Sequence, residues 1–376
     1  MPFDFVGDFS GATDAINFVS DDGSSVGGPA WLIRFPVWLA GNENRRVTAQ
    51  SEHTEEIFVG TTTKRGYVVF NSHAEVPKPP PVPLVGPDTV LSAAGQVTDT
   101  PTAAEFDQYA FTGSAVPPAV LCGLTDVLFA QSDDGPVRPL TVPPVVPELF
   151  DPHGPYAPDA MLMNQLCGQA PDVGSSVAVT FRLYSSSRAD QSISTVLCQV
   201  YTYLLSTPIF VSDIDGTVTM SDTMGVIKPR LPGGLRSTHH HDAIGDTYTA
   251  LAVSYQPLYL TARTVLMSPT TRVYLDAMQA LDLPRGPVIS MAAVRKDHMS
   301  YKAGVLGGIR RFLKEYGGPP MIAGFGNRDG DRMAYLLAGI RHRFTIDTAS
   351  VIVDDEGGRW EGHAALCPDI LRVVSQ

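Results

Sequence analysis

The sequence predicts an α/β protein, with a parallel sheet flanked by helices over residues 206–376 and an all-β, sandwich-like domain over residues 1–205. Two observations carry this reading. After Pro208, short apolar runs ending in polar residues alternate with segments of helical spacing, the pattern of a parallel sheet covered on both faces. Before it, apolar residues occur in short β-branched and aromatic runs between connections rich in Pro and Gly.

In the first part, "AWLIRFPVWLA" (30–40), "EEIFVG" (55–60) and "GYVVF" (66–70) read as strands, and "TTTKR" between the last two as a hairpin connection. Residues 76–90 and 136–158 are too proline-rich for helix or central strand and read as extended connectors. "SVAVTFRLYS" (176–185) alternates, with Val177, Val179, Phe181 and Leu183 on one face and Thr180 and Arg182 on the other. "STVLCQVYTYLL" (194–205) supplies a second strand beside it. At the N-terminus, Phe3, Val6, Phe9 and Ile16 would share one helical face. That segment (residues 1–20) carries Asp4, Asp8 and Asp14 with no lysine or arginine, so a core-packing helix or strand is favoured over contact with an anionic membrane. Trp31, Trp38 and Trp360 are expected to pack rather than to form a membrane belt.

In the second part, "IFVSDID" (209–215), "PLYLTAR" (257–263), "MIAGFGN" (321–327) and "HRFTID" (342–347) read as strands. "PTTRVYLDAMQAL" (269–281), "YKAGVLGGIRRFLKEYG" (301–317) and "DRMAYLLAGI" (331–340) have helical spacing, the second with Val305, Ile309, Phe312 and Tyr316 on one face.

Composition narrows the function classes. A net charge of −12 and a pI near 5.1 leave no basic footprint for nucleic acid. Cys122, Cys167, Cys198 and Cys367 stand far apart, which disfavours a zinc ribbon or a disulfide scaffold and fits a reducing compartment. There is no basic stretch followed by an apolar core at the N-terminus, and no apolar run near the roughly 20 residues that span a bilayer. The expectation is a soluble cytoplasmic protein, with peripheral membrane association left open.

Ligands of parallel sheets bind beyond the carboxyl ends of the strands, so three strand ends are the places to search. At the first, Asp213 and Asp215 are two residues apart and can face one pocket. Two carboxylates that close raise each other's proton affinity unless a cation lies between them, and a hard divalent ion such as Mg²⁺ suits oxygen ligands. Gly216 permits a tight backbone approach, and Thr217 can brace the loop or hold Asp215. The second end offers the Thr261 hydroxyl, with Arg263 two residues on. The third offers Asn327 and Asp331, whose spacing lets a loop residue and a first-turn helix residue reach one ion. Lys302, at the start of a predicted helix, can meet a phosphate. Three adjacent histidines (239–241, in "HHHD") cannot all face one ion, and the run reads as a surface loop with His241 near the site.

The order acid pair, hydroxyl, lysine, amide and acid resembles the motif series of the haloacid dehalogenase superfamily of phosphohydrolases. It is more closely similar to the lipins, the Mg²⁺-dependent phosphatidate phosphatases. "SDIDGTVTMSDTMG" (212–225) looks like the lipin pattern S-D-(I/V)-D-G-T-(I/V)-T-x-S-D-x-(L/M)-G. "HDAIGDTY" places His241 and Tyr248 where lipins carry a histidine and a G-I-A-x-L-Y helix. "LYLTAR", "LPRGP" (283–287) and "FGNRDGD" match later lipin motifs, and Tyr335 recurs four residues after the last aspartate. Upstream, "GSSVAVTFRLY" and "CQVYTYLL" resemble the two lipin strands that precede the catalytic domain.

The resemblance implies a haloacid-dehalogenase-like Rossmannoid catalytic domain, and an immunoglobulin-like sandwich joining strands 176–205 to the N-terminal segment. By the same resemblance Asp213 is the nucleophile, Asp215 the general acid and base, and Thr261, Lys302 and Gly216 the phosphate-binding residues, supported by Thr217 and Arg263. Mg²⁺ would be held by Asp213, the Asp215 carbonyl, Asn327 and Asp331. Asp329 lies off the lipin spacing and reads as a helix cap. The implied substrate is phosphatidate at a membrane surface. A soluble phosphomonoester is the alternative substrate, and a phosphatidate-binding module the alternative class; the presence of both Asp213 and Asp215 speaks against binding alone.

Overall fold

The computed structural model describes residues 11–35, 45–70, 150–169, 171–184, 192–220, 240–278, 282–291 and 298–375, with short strand segments at 89–91, 97–99, 128–130 and 138–140. Phe3, Val6, Phe9, Trp38, Cys122, His239, residues 221–225, residues 76–88 of the first proline-rich stretch and residues 136–137 and 141–149 of the second lie outside the described residues.

Two seven-stranded sheets form the frame. The strands of the first part are β1 (Gly11–Ala12), β2 (Ala15–Val19), β3 (Ser25–Gly27), β4 (Ile33–Arg34), β5 (Arg46–Ser51), β6 (Thr54–Thr62), β7 (Val68–Phe70), the hairpins β8 (Thr89–Leu91)–β9 (Val97–Asp99) and β10 (Leu128–Ala130)–β11 (Arg138–Leu140), then β12 (Ser176–Tyr184) and β13 (Ser192–Leu204). The first sheet runs β3-β2-β13-β12-β5-β6-β7, antiparallel throughout except for the β2–β13 pair. β12 follows the expected alternation: Val177, Val179, Phe181 and Leu183 are buried. The β6–β7 hairpin turns over residues 63–67, in agreement with the "TTTKR" connection. Trp31 is wholly buried, its ring edge-on to Phe181 at 4.8 Å.

One expectation is corrected here. The first part is not all-β: helix α1 (Ala160–Cys167) lies between the connector and β12. Asp159 caps it, accepting the Leu162 N–H at 2.8 Å, and Gly168 at φ +82° ends it. Of the core-packing helix or strand expected for the segment carrying Ile16, the structure shows strand; Ile16 and Phe18 are fully buried in β2, and Phe18 stacks on Phe312 at 5.3 Å. An aromatic pair of this kind contributes about 1 kcal/mol beyond its buried area.

The second sheet contains β14 (Ile209–Ser212), β15 (Gln256–Thr264), β16 (Val288–Met291), β17 (Ala323–Gly326), β18 (His342–Ile346), β19 (Ile352–Asp354) and β20 (Arg359–Trp360). Its order is β16-β15-β14-β17-β18-β19-β20, with the first five strands parallel and the last two antiparallel. The helices are α2 (Ile244–Ala252), α3 (Ser268–Met278), α4 (His298–Glu315), α5 (Asp329–Leu337), α6 (His363–Leu366) and α7 (Ile370–Val374). β14 and its neighbours are buried on both faces, as continuous apolar runs such as "IFV" require. On α4, Val305, Ile309 and Phe312 are buried, but Tyr316 is 42% exposed, because the helix ends at Glu315 and Gly317 (φ +75°) turns the chain away. One apolar cluster runs through both sheets, joining Ile16, Phe18 and Tyr203 to Ile209, Val305 and Phe312.

Candidate active site

Because β14 lies between β15 and β17 and all three are parallel, the residues after each strand emerge on one edge of the sheet. Asp213 follows β14 directly, and its N–H still bonds to Phe325 O at 2.9 Å on β17. The chain then turns through Gly216, whose φ of +82° favours a residue without Cβ. The bracing hydroxyl differs from the expected one. Thr217 is buried and its hydroxyl makes no hydrogen bond among the described residues, whereas Thr219 Oγ1 accepts the Gly216 N–H at 2.9 Å and donates to Ile214 O at 3.3 Å. The hydroxyl two residues on is the one that folds back over the turn.

Lys302, from the second turn of α4, reaches this edge with its side chain 3% exposed. Its ammonium is 2.8 Å from Asp213 Oδ1 and 2.5 Å from Asp331 Oδ1. Burial opposes the lysine's charge, but the two carboxylates outweigh it and push its pKa up. Asp213 is the opposite case. Burial, reinforced by Asp331 and Asp215 and only partly countered by Lys302, pushes its pKa up to about 7.

Asp331 is buried in the first turn of α5, where its Oδ2 accepts the N–H groups of Asn327 (3.3 Å) and Arg328 (3.2 Å). Gly326 lets Asp331 fit so close to β17: a Cβ at 326 would lie 2.4 Å from that of Asp331. Asp329, in the same turn, is exposed to solvent, as a cap or solvated residue would be.

The acid two residues after Asp213 has a different environment. Arg263 Nε donates to Asp215 Oδ2 at 2.9 Å and Nη2 to Oδ1 at 2.7 Å. A break in the β15–β16 register between Thr261 and Thr264 turns Arg263 toward this carboxylate. Thr261 is fully buried, and its hydroxyl accepts the Arg263 N–H at 3.1 Å. The Arg263 Nη1 donates to Thr271 Oγ1 on α3 at 3.1 Å, and the Tyr274 ring lies 6.0 Å from the guanidinium.

The histidine run divides. His240 is partly exposed, whereas His241 is fully buried, its Nδ1 2.7 Å from Ser350 Oγ and its Nε2 3.4 Å from Gly216 O. Burial lowers its pKa. A surface loop therefore describes only part of this run, because the 241 ring packs behind the Asp213–Gly216 turn. Tyr248 on α2 is also buried, its hydroxyl 2.8 Å from Ser212 Oγ.

Asp213, Lys302 and Asp331 are thus in direct contact, with Asn327 bonded to Asp331, and Asp215, Arg263 and Thr261 form an adjacent cluster. Neither Thr271 nor Thr219 is assigned a role from the sequence: Thr271 sits inside a helix of ordinary pattern, whereas Thr219 lies within the 212–225 motif, whose second threonine is the available signal. The cluster is rich in hard oxygen donors, and among the described residues its three carboxylates pair with two cations, Lys302 and Arg263. That excess of carboxylates over cations among the described residues fits a bound divalent cation. Among the described residues no three His, Cys, Asp or Glu side chains form a metal cluster by themselves, so such an ion would also draw on amide and carbonyl oxygens. No described helix is long and apolar enough to cross a membrane.

Residues 174–363 match the family described as LNS2 (Lipin/Ned1/Smp2). The chain is similar to phosphatidic acid phosphohydrolase 1 of Saccharomyces cerevisiae, at 32% identity over 42% of this chain and 21% of that protein. It is similar to phosphatidate phosphatase PAH1 of Arabidopsis thaliana at 30% identity, over 38% of this chain and 16% of the relative. To phosphatidate phosphatase LPIN3 of Homo sapiens the identity is 29%, over 42% and 20%. The chain thus spans about a fifth of the length of these relatives.

Proposed function

Because this chain belongs to the LNS2 (Lipin/Ned1/Smp2) family, we propose that it is a Mg²⁺-dependent phosphatidate phosphatase. It would convert phosphatidate to diacylglycerol and phosphate. The observation that carries this is the buried Asp213 carboxylate, held beside Lys302 at the carboxyl edge of a parallel sheet, with Asp215 two residues on. In this reading residues 206–376 are a haloacid-dehalogenase-like catalytic domain. Residues 1–205 are an immunoglobulin-like sandwich completed by β12 and β13; the pairing of β2 with β13 supports it.

Asp213 attacks phosphorus, and the bond to the glycerol oxygen breaks as Asp215 gives that oxygen a proton. Water then gives a proton to Asp215 and attacks the aspartyl-phosphate at phosphorus. The bond to Asp213 breaks, phosphate leaves, and both carboxyls return to their starting states. Lys302 and Thr261 bind the equatorial phosphoryl oxygens, with the Gly216 backbone lining the turn. Arg263 supports this arrangement by holding Asp215, and Thr219 by bracing the Gly216 turn. Asp213, the Asp215 carbonyl, Asn327 and Asp331 would hold Mg²⁺, which supplies charge screening between anionic nucleophile and anionic ester.

Phosphatidate as substrate implies transient, peripheral contact of a cytoplasmic protein with a membrane, and no nucleic-acid partner. The net charge of −12 provides no general attraction to an anionic surface and favours a soluble phosphomonoester as the second reading. Phosphate release from short-chain phosphatidate in mixed micelles, with Mg²⁺ or EDTA, tests both. Release that needs Mg²⁺ and is lost in Asp213→Asn is the expected result. Hydrolysis of p-nitrophenyl phosphate alone removes the lipid assignment, and liposome binding without turnover leaves only a binding module.

A further inference from the structure

Asp14, between β1 and β2, is a buried carboxylate outside the candidate site. Its side chain is wholly buried and has partners in both sheets. Oδ1 accepts the Gln199 N–H on β13 at 2.8 Å, and Oδ2 accepts the Val288 N–H on β16 at 2.9 Å. The Asp14 N–H in turn donates to Val288 O at 2.9 Å. The remaining partner is the guanidinium of Arg272 on α3, with which Asp14 forms an ion pair. Burial works against the Arg272 charge and the facing carboxylate overcomes it.

The same helix also reaches the candidate acid. Successive helical residues point about 100° apart, so Thr271 and Arg272 face different neighbours. Thr271 accepts from Arg263, Tyr274 lies one turn on beneath the same guanidinium, and Arg263 holds both oxygens of Asp215. Ser268 adds a bond from the helix start to Ser290 of β16, at 3.3 Å. The rotation of α3 about its axis is therefore set on one side by Asp14 and read out on the other by Arg263.

We propose that Asp14 is a positioning residue for Asp215: its clip on Arg272 and β16 orients α3, through which Thr271 and Arg263 hold the acid in place. The proposal rests on the phosphatase reading and extends it to a residue of the first part of the chain, more than 190 positions away.

The test exploits the leaving group. A nitrophenolate departs without a proton, whereas an alkoxide needs one from the acid. Full-length wild type and Asp14→Asn are compared on p-nitrophenyl phosphate and on short-chain phosphatidate, with melting temperature followed in parallel. The expected result is that kcat on the alkyl ester falls about tenfold more than kcat on the aryl ester, part of the roughly 10²–10⁴ that a positioned acid supplies. KM should change little on either. Thr271→Val should shift the same ratio in the same direction. Equal losses on both esters, tracking the fraction folded, would show a purely structural clip and overturn the proposal. Should Asp14→Asn not fold, Arg272→Lys, which keeps a buried cation but shortens its reach, is judged by the same ratio. Failure of wild type to cleave either ester overturns the phosphatase reading itself, an outcome distinct from equal losses in a variant.

Discussion

Arg263 grips both carboxylate oxygens of Asp215, through Nε at 2.9 Å and Nη2 at 2.7 Å, while its own side chain is 1% exposed. A planar fork of this kind fixes the direction as well as the position of the carboxylate, which a single ammonium cannot do. Arg263→Lys should therefore keep the charge and lose the alignment. Turnover of an alkyl phosphate is expected to drop about 10²-fold with little change in KM. Steady-state kinetics on one ester suffices, and an unchanged kcat would show that the fork does not serve catalysis.

Lys302 is shared by Asp213 and Asp331, so removing its charge leaves two carboxylates facing each other in a buried space. Lys302→Met should cost about 3–5 kcal/mol in urea unfolding with EDTA present, the penalty of an unpaired buried charge. The double variant Lys302→Met/Asp331→Asn should recover part of that loss, because one of the two stranded carboxylates is neutralised.

Gly326 shows how closely β17 and α5 approach. Gly326→Ala puts a methyl group 2.4 Å from the Asp331 Cβ, beside a strand paired on both sides. A destabilisation of about 1–3 kcal/mol is expected from overpacking. Displacement of Asp331 should also raise the Mg²⁺ concentration needed for half-maximal activity, read from a metal titration.

His363, at the start of α6, is fully buried beside Tyr248 and His241, and neither ring nitrogen has a hydrogen-bond partner among the described residues. Burial lowers its pKa from 6.5 to about 3. Between those values the unfolded chain binds a proton that the folded chain refuses, so stability falls as pH drops through this window. By pH 5 the loss from this residue approaches about 2 kcal/mol. His363→Leu should flatten the dependence of the urea midpoint on pH between 7 and 5; an unaltered slope would assign the acid sensitivity elsewhere.

What the sequence reveals follows the range of the interactions. The parallel sheet is legible because each strand is a short apolar run closed by polar residues, and "SDIDGT" announces a strand end through two acids and a glycine that takes φ +82°. Helix α1 carries a readable start and stop in Asp159 and Gly168, obscured by the prolines just before it. The Arg263–Asp215 fork spans 48 positions and the Asp14 contacts up to 274, and no local pattern encodes such pairs. In the sequence Asp14 is simply one of three acids in an N-terminal segment without lysine or arginine. Only the folded chain shows it to be the least exposed of the carboxylates discussed here.

β16 is the outermost strand of its sheet, and an outer strand ordinarily offers unpaired backbone groups to any other chain. At Val288 both of those groups are already taken by Asp14, one by its side chain and one by its backbone. A single acidic residue thus acts as a guard against strand-to-strand self-association. Loosening it would free the Val288 N–H and C=O at the sheet's edge.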